Sequence, residues 1–200
     1  MSLRDRSVKK QKVKEVDSQK DTEIVANSNK KRDYGEKIDF VYAQMSQGDA
    51  FIEVMTDGFN LKDENKGIGA SKVHFNFAKL NKNQKQEVFV SHFLDVSNFM
   101  ALRWLFLSGK IFELENEKRE EAKKKKSKFI DSVYSEYKAP DSSSSKNFSI
   151  TPGMKSGNWM VNISYTHEGR TERVGVPMKT ERLVAMLELI YLAYQKHLKN

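Results

Sequence analysis

The chain has no cysteine, only 3 prolines among 200 residues, and no apolar run long enough to span a bilayer. Without cysteine there is no disulfide, no thiolate metal site and no cysteine nucleophile, and the composition suits a reducing, cytoplasmic setting. The N-terminus lacks the apolar stretch of a signal peptide. The longest apolar candidate, Phe99–Leu107, contains Arg103 and falls well short of the ~18 residues of a membrane helix. The sequence therefore reads as a soluble protein with no membrane partner.

Acidic residues are also in deficit, 27 Asp and Glu against 35 Lys and Arg, for a formal charge of +8. Such a surplus attracts polyanions without choosing between nucleic acid, anionic membrane and acidic protein. Catalytic patterns are missing as well. His74, His92, His167 and His197 show no metal-ligand spacing. Gly67-x-Gly69 lacks the rest of a phosphate loop, and Gly153–Gly157 (GMKSG) places Ser156 one position away from a nucleophile elbow. Asp57 with Glu64-Asn65-Lys66 resembles a D…E-x-K metal fragment, but DENKG reads as a turn, and a hard cation needs converging, fixed oxygens. The expectation is a non-enzyme with no metal, no cofactor and no small-molecule substrate.

What is present is a pattern used twice. From Ser71, SKVHFNFAKL-NKNQK-QEVFVSHF-LDVSNFMALRWLFLSG reads strand, turn, strand, helix; from Asn158, NWMVNISYT-HEG-RTERVGVPM-KTERLVAMLELIYLAY reads the same. Each copy has a further strand upstream, Ala50–Met55 in one and Phe148–Thr151 in the other. The fold class is α+β: two repeats of antiparallel strands followed by an apolar helix, with the helices packed together. Phe99–Leu107 is apolar almost all round except at Arg103, and Leu183–Tyr194 except at Glu188, so their backs should meet each other or a second subunit. Leu102, Leu105, Phe106, Leu187 and Ile190 are the expected central layer, within one chain or across a homodimer. Asp95 and Thr180 are candidate helix N-caps.

Residues 1–32 hold ten basic and five acidic side chains and no sustained period, which predicts a disordered basic tail. Residues 33–109 form the first repeat. Residues 110–145 are a connector, helical and charged over Lys110–Tyr137 and then a Pro- and Ser-rich joint, and residues 146–200 form the second repeat.

Strand alternation gives each sheet two faces. Val73, Phe75 and Phe77 fall inward with Val88 and Val90, leaving Lys72, His74, Asn76, Phe89 and Ser91 outward. Trp159, Val161 and Ile163 fall inward, leaving Asn158, Met160, Asn162 and, from the next strand, Arg173 outward. A polar, partly basic face with occasional large apolar groups suits unpaired bases and phosphates. The candidate binding residues are Lys72, His74, Phe89, Asn158, Met160 and Arg173, joined by Lys155 from the Gly153–Gly157 turn. The Lys123–Lys126 run adds sequence-independent attraction.

Strands followed by a helix, used twice over about residues 40–109 and 146–198, resemble the Whirly-like group of single-strand binders, which includes the PUR-repeat proteins. That resemblance implies paired sheet-and-helix units associating through helices, with curved sheets gripping single-stranded DNA or RNA. No signature motif aligns, so no functional residue is carried over from it. The leading expectation is a single-stranded nucleic-acid-binding protein, DNA slightly preferred over RNA, serving replication, recombination, transfer or transcription. The alternative is a protein–protein adaptor that dimerises through its apolar helices and docks an acidic partner on its basic tail.

Overall fold

The computed structural model describes residues 40–46, 49–59, 71–83, 85–139 and 144–199. The chain divides into two units, 1–37 and 38–200, and all described residues lie in the second. The expected basic tail, Glu64 and Lys66 lie outside the described residues.

Two four-stranded antiparallel sheets make up the body. The first orders β1 (Phe40–Met45), β2 (Ala50–Met55), β3 (Lys72–Leu80) and β4 (Gln86–Asp95) side by side. The second does the same with β5 (Tyr134–Lys138), β6 (Ser144–Pro152), β7 (Asn158–His167) and β8 (Arg170–Lys179). Helix α1 (Val96–Leu107) follows the first sheet directly, and α2 (Lys110–Lys124) follows α1. Helix α3 (Thr180–Leu198) follows the second sheet. The α+β class and the doubled sheet-and-helix pattern are as the sequence predicts.

The repeat unit has four strands rather than three. Strand β1 adds to the first sheet through Tyr42↔Val54 and Met45↔Phe51. Tyr134–Lys138, expected within a helical connector, is instead β5, paired to β6 with Tyr134 opposite Ile150 and Lys138 opposite Lys146. The helix stops earlier because Lys126 turns left-handed at φ 52°, letting the Ser127 N–H reach the Ala122 carbonyl at 2.9 Å, a C-terminal cap that closes the last turn. Beyond it, YSEYK alternates polar and aromatic groups and pairs as a strand.

Alternation sorts the core. Val73, Phe75 and Phe77 are buried with Val90 and Leu94, and Phe148 and Ile150 are buried with Trp159, Val161 and Ile163. The two inner faces meet around Phe148, whose ring lies 5.1 Å from Phe75, 6.2 Å from Phe77 and 5.4 Å from His92. His92 occupies an inward position, opposite Phe75 on β3. Its ring lies nearly parallel to Phe148, at 8°. Burial, helped by Lys138 and Lys146, pushes its pKa down to about 4, so the imidazole is neutral at pH 7.

The helices close this core. Leu102 and Phe106 of α1 and Leu187 and Ile190 of α3 are buried as expected, while Leu105 is only partly so. The single charge of each apolar run meets the other: Arg103 Nε and Nη2 donate to Glu188 Oε1 and Oε2 at 2.8 and 2.9 Å. The guanidinium also lies 3.9 Å from the Tyr191 ring centroid. Neither expected cap forms. The Asp95 carboxylate pairs with Lys72 and Lys138, at 3.5 and 3.7 Å. The Thr180 hydroxyl donates to the Gly157 carbonyl and accepts from Trp159 Nε1.

Candidate nucleic-acid interface

The outer face of the second sheet runs in rows set by the register. Tyr137, Asn147, Ser164 and Arg173 lie side by side across all four strands; Ser135, Ser149, Asn162 and Gly175 form the next row. Thr151, Met160 and Pro177 follow, then Asn158 beside Lys179. No Asp or Glu of β5–β8 falls in these rows. At ~4.8 Å between strands, Tyr137 and Arg173 stand about 14 Å apart with amides and hydroxyls between them. Tyr137 is 67% exposed, and Arg173 and Lys179 are exposed.

Contacts within the sheet hold these groups in place. Ser135 and Asn147 side chains hydrogen-bond each other at 2.7 Å. Asn162 Nδ2 donates to Thr151 Oγ1 and to the Met160 carbonyl, both at 3.1 Å. Asn162 and Met160 lie flat across the strand beside them because position 175 has no side chain. A Cβ there would stand 2.5 Å from Asn162 Oδ1 and 2.9 Å from Met160 Cε.

The Gly153–Gly157 turn is tied down from two sides. Arg119 of α2, paired with the buried Glu115 at 2.7 Å, donates to the Gly153 carbonyl at 2.7 Å. The Thr180 backbone N–H donates to the Gly157 carbonyl at 3.0 Å. Lys155 is exposed on this turn, next to the start of β7 at Asn158.

The first sheet is different. Its outer side carries Lys72, His74, Asn76 and Ala78 opposite Asp95, Phe93, Ser91 and Phe89. Asn76 is buried and donates to Glu53 at 3.1 Å, while its oxygen accepts from Ser91 Oγ at 2.7 Å. His74, expected to be exposed, is buried. Asp57 holds its Nδ1 at 2.7 Å, and the Phe93 ring stacks on it with centroids 4.2 Å apart. Phe89 is half-buried, and Lys72 is partly exposed beside Asp95.

Thus Asn158, Met160 and Arg173 share the second sheet's open side, with Lys155 exposed on the turn that precedes it, whereas Lys72, His74 and Phe89 belong to the first. Sequence reasoning missed Tyr137, Phe93, Lys138 and Lys146. The alternating YSEYK was the available signal for Tyr137. The other three depend on where the two sheets meet. There, β4 passes β5 and β6 and leaves a cleft of about 420 Å³ walled by Lys72, His92, Phe93, Lys138 and Lys146. Lys138 Nζ donates to the Phe93 carbonyl at 2.5 Å, and Lys146 Nζ to that of Ser91 at 2.9 Å. Partial burial lowers the Lys146 pKa. Among the described residues, no group of three or more metal-ligating side chains occurs.

No protein-family model matches the chain, and no curated protein matches it. Among solved structures it is similar to the plant transcriptional regulator PBF-2, at 13% identity and a TM-score of 0.49, over 80% of this chain and 82% of that one. It is similar to WHY3 from Arabidopsis thaliana at 10% identity and 0.47, over 78% and 88%. For WHY1 from the same plant the values are 11% and 0.45, over 80% and 88%. All three are Whirly proteins. The likeness is one of architecture.

Proposed function

We propose that this chain binds single-stranded nucleic acid without catalysis, DNA in preference to RNA, chiefly through the outer face of its second sheet. The observation that carries this reading is that face's chemistry. Amides and hydroxyls alternate with Met160, Tyr137 stands at one edge and Arg173 and Lys179 at the other, with no carboxylate among them. Unpaired bases can stack on Tyr137 and slide over Met160, amides reach base edges, and cations meet phosphates. A duplex keeps its bases stacked and offers these groups less. The test is fluorescence anisotropy with short labelled single-stranded DNA, single-stranded RNA and duplex at several salt concentrations. Single strands should bind more tightly than duplex, with affinity falling steeply as salt rises. Equal binding of duplex, or none at low salt, would overturn the reading.

A second surface favours self-association. Trp104 and Leu107 on α1 and Leu189 and Leu192 on α3 are 61%, 51%, 45% and 60% exposed. Large apolar groups left bare on two neighbouring helices suit a second copy of the chain. Sedimentation of the wild type against Leu192→Asp checks this: only the wild type should dimerise, and a wild-type monomer at high concentration would rule it out.

A further inference from the structure

Resting on the single-strand reading, we propose that the cleft between the two sheets seats one phosphodiester of the bound strand on Lys138 and Lys146, with the adjoining base stacked on Phe93. Each ammonium carries three donors. Each gives one to a backbone carbonyl, Lys138 to Phe93 and Lys146 to Ser91, which aims the nitrogen. Lys146 keeps donors for a ligand, while Lys138, facing Glu136 and Asp95 as well, contributes chiefly its charge. Lys146 has no carboxylate within ion-pair distance among the described residues; its ammonium lies 5.7 Å from the Tyr165 ring centroid. A half-buried ammonium in that setting is stabilised by an incoming anion. In the same wall, His92 Nε2 is buried without a partner.

Charge balance selects the ligand. Asp95 is shared by Lys72 and Lys138, at 3.5 and 3.7 Å, and Glu136 lies 2.8 Å from Lys138. Three ammonium groups against these two carboxylates leave one positive charge. One charge suits a phosphodiester, whereas a terminal phosphate carries nearly two at pH 7. The adjoining base has its platform in place. Phe93 is 41% exposed at the cleft, and the His74 ring backs it from one side at 18° to parallel. The volume falls within the range of small-ligand sites.

Two measurements test the assignment. In the first, the imidazole nitrogens of His92 are titrated by NMR with and without dithymidine monophosphate. An anion beside Lys138 and Lys146 offsets their repulsion, so the His92 pKa should rise from about 4. The methylphosphonate dinucleotide, with its neutral linkage, should leave it in place, as should the charged one in Lys146→Met. In the second, anisotropy with a single-stranded 12-mer should show Lys146→Met and Lys138→Met each weakening binding roughly tenfold. The salt slope should fall by about 0.7, and Lys146→Arg should restore most of both. Lys110→Met, which removes an equal charge at the start of α2, outside the residues that wall the cleft, is the control.

If the strand binds, both cleft variants behave like the control and His92 does not move, the cleft assignment is overturned and the single-strand reading stands. If the strand does not bind but dithymidine monophosphate still raises the His92 pKa, the cleft stands and the reading falls. An equal response to the methylphosphonate would overturn the phosphate contact.

Discussion

On the first sheet, the outward side of β2 and β3 carries Glu53, His74 and Asn76, all buried, with Asp57 and Asp95 beside them. On the second, the equivalent side carries Asn147, Asn162 and Ser164, partly exposed and with no carboxylate in the rows. Strand order and pairing are the same in both. The shared pattern specifies backbone and core, because the inward positions of both sheets build one apolar cluster. The outward positions are free to differ. One sheet uses them for a closed hydrogen-bond network, the other for an open polar surface. A buried Glu–Asn–Ser set is stabilising only while every member is satisfied. An open amide surface is satisfied by water and can exchange that water for a ligand.

The largest effect should come from breaking what the sheets share. Phe148→Ala removes the ring that touches Phe75, Phe77 and His92, and should cost about 3–5 kcal/mol in denaturant unfolding. The loss should appear in a single transition; two separated transitions would mean the sheets fold as independent bodies.

His92 allows a second break at the same junction, by pH. Its pKa of about 4 in the fold lies below the ordinary 6.5, so the unfolded chain binds more protons between those values. Its contribution is full above about pH 6.5 and is lost as pH falls through 4, to the extent of about 3 kcal/mol. His92→Phe should flatten stability across this window. A variant that keeps the wild-type slope would place the dependence on other groups.

A crossed pair sharpens the comparison of the outer faces. Asn76→Ala strips the partner from Glu53 and should lower stability by about 1–3 kcal/mol while leaving single-strand affinity unchanged. Tyr137→Ala should do the reverse, costing about 1–3 kcal/mol of binding with little change in melting. Should both variants lose affinity, the two faces would form one site.

The smallest expected change is at Arg173. Exposed at the edge of the second sheet, Arg173→Ala should weaken single-strand binding only a few-fold and lower the salt slope by about 0.7. An unchanged slope would take Arg173 off the phosphate path.

The hairpins and apolar helices were legible because their periods are long and regular. Val73, Phe75 and Phe77 alternate over a strand, and Glu168-Gly169 supplies the two left-handed residues, φ 48° and 77°, of a tight turn. The edge strands were not. YSEYK follows a lysine-rich helix without proline or glycine, and its strand character is conferred by pairing with β6. His74 reads as outward by parity, and it is outward. Its burial depends on Asp57, in a turn 17 residues earlier, and on Phe93 across the sheet. Lys138 and Lys146 fall in stretches that look like connector and joint, and only the approach of β4 to β5 and β6 makes them neighbours. Local pattern reports which side of a strand a residue faces. What else faces it is settled by chain segments far away in sequence.

Gly175 lies in an ordinary extended strand, so a side chain there meets no backbone strain, only the ends of the Asn162 and Met160 side chains. The Met160 end can swing aside freely, whereas the Asn162 end would give up its hold on Thr151 and the Met160 carbonyl, a modest cost to folding. An alanine or serine at this position would cost the fold far less than a change in the core, yet it would redraw the middle of the surface. Over evolutionary time, such a position lets a lineage change what its sheet prefers to hold while the body beneath stays the same.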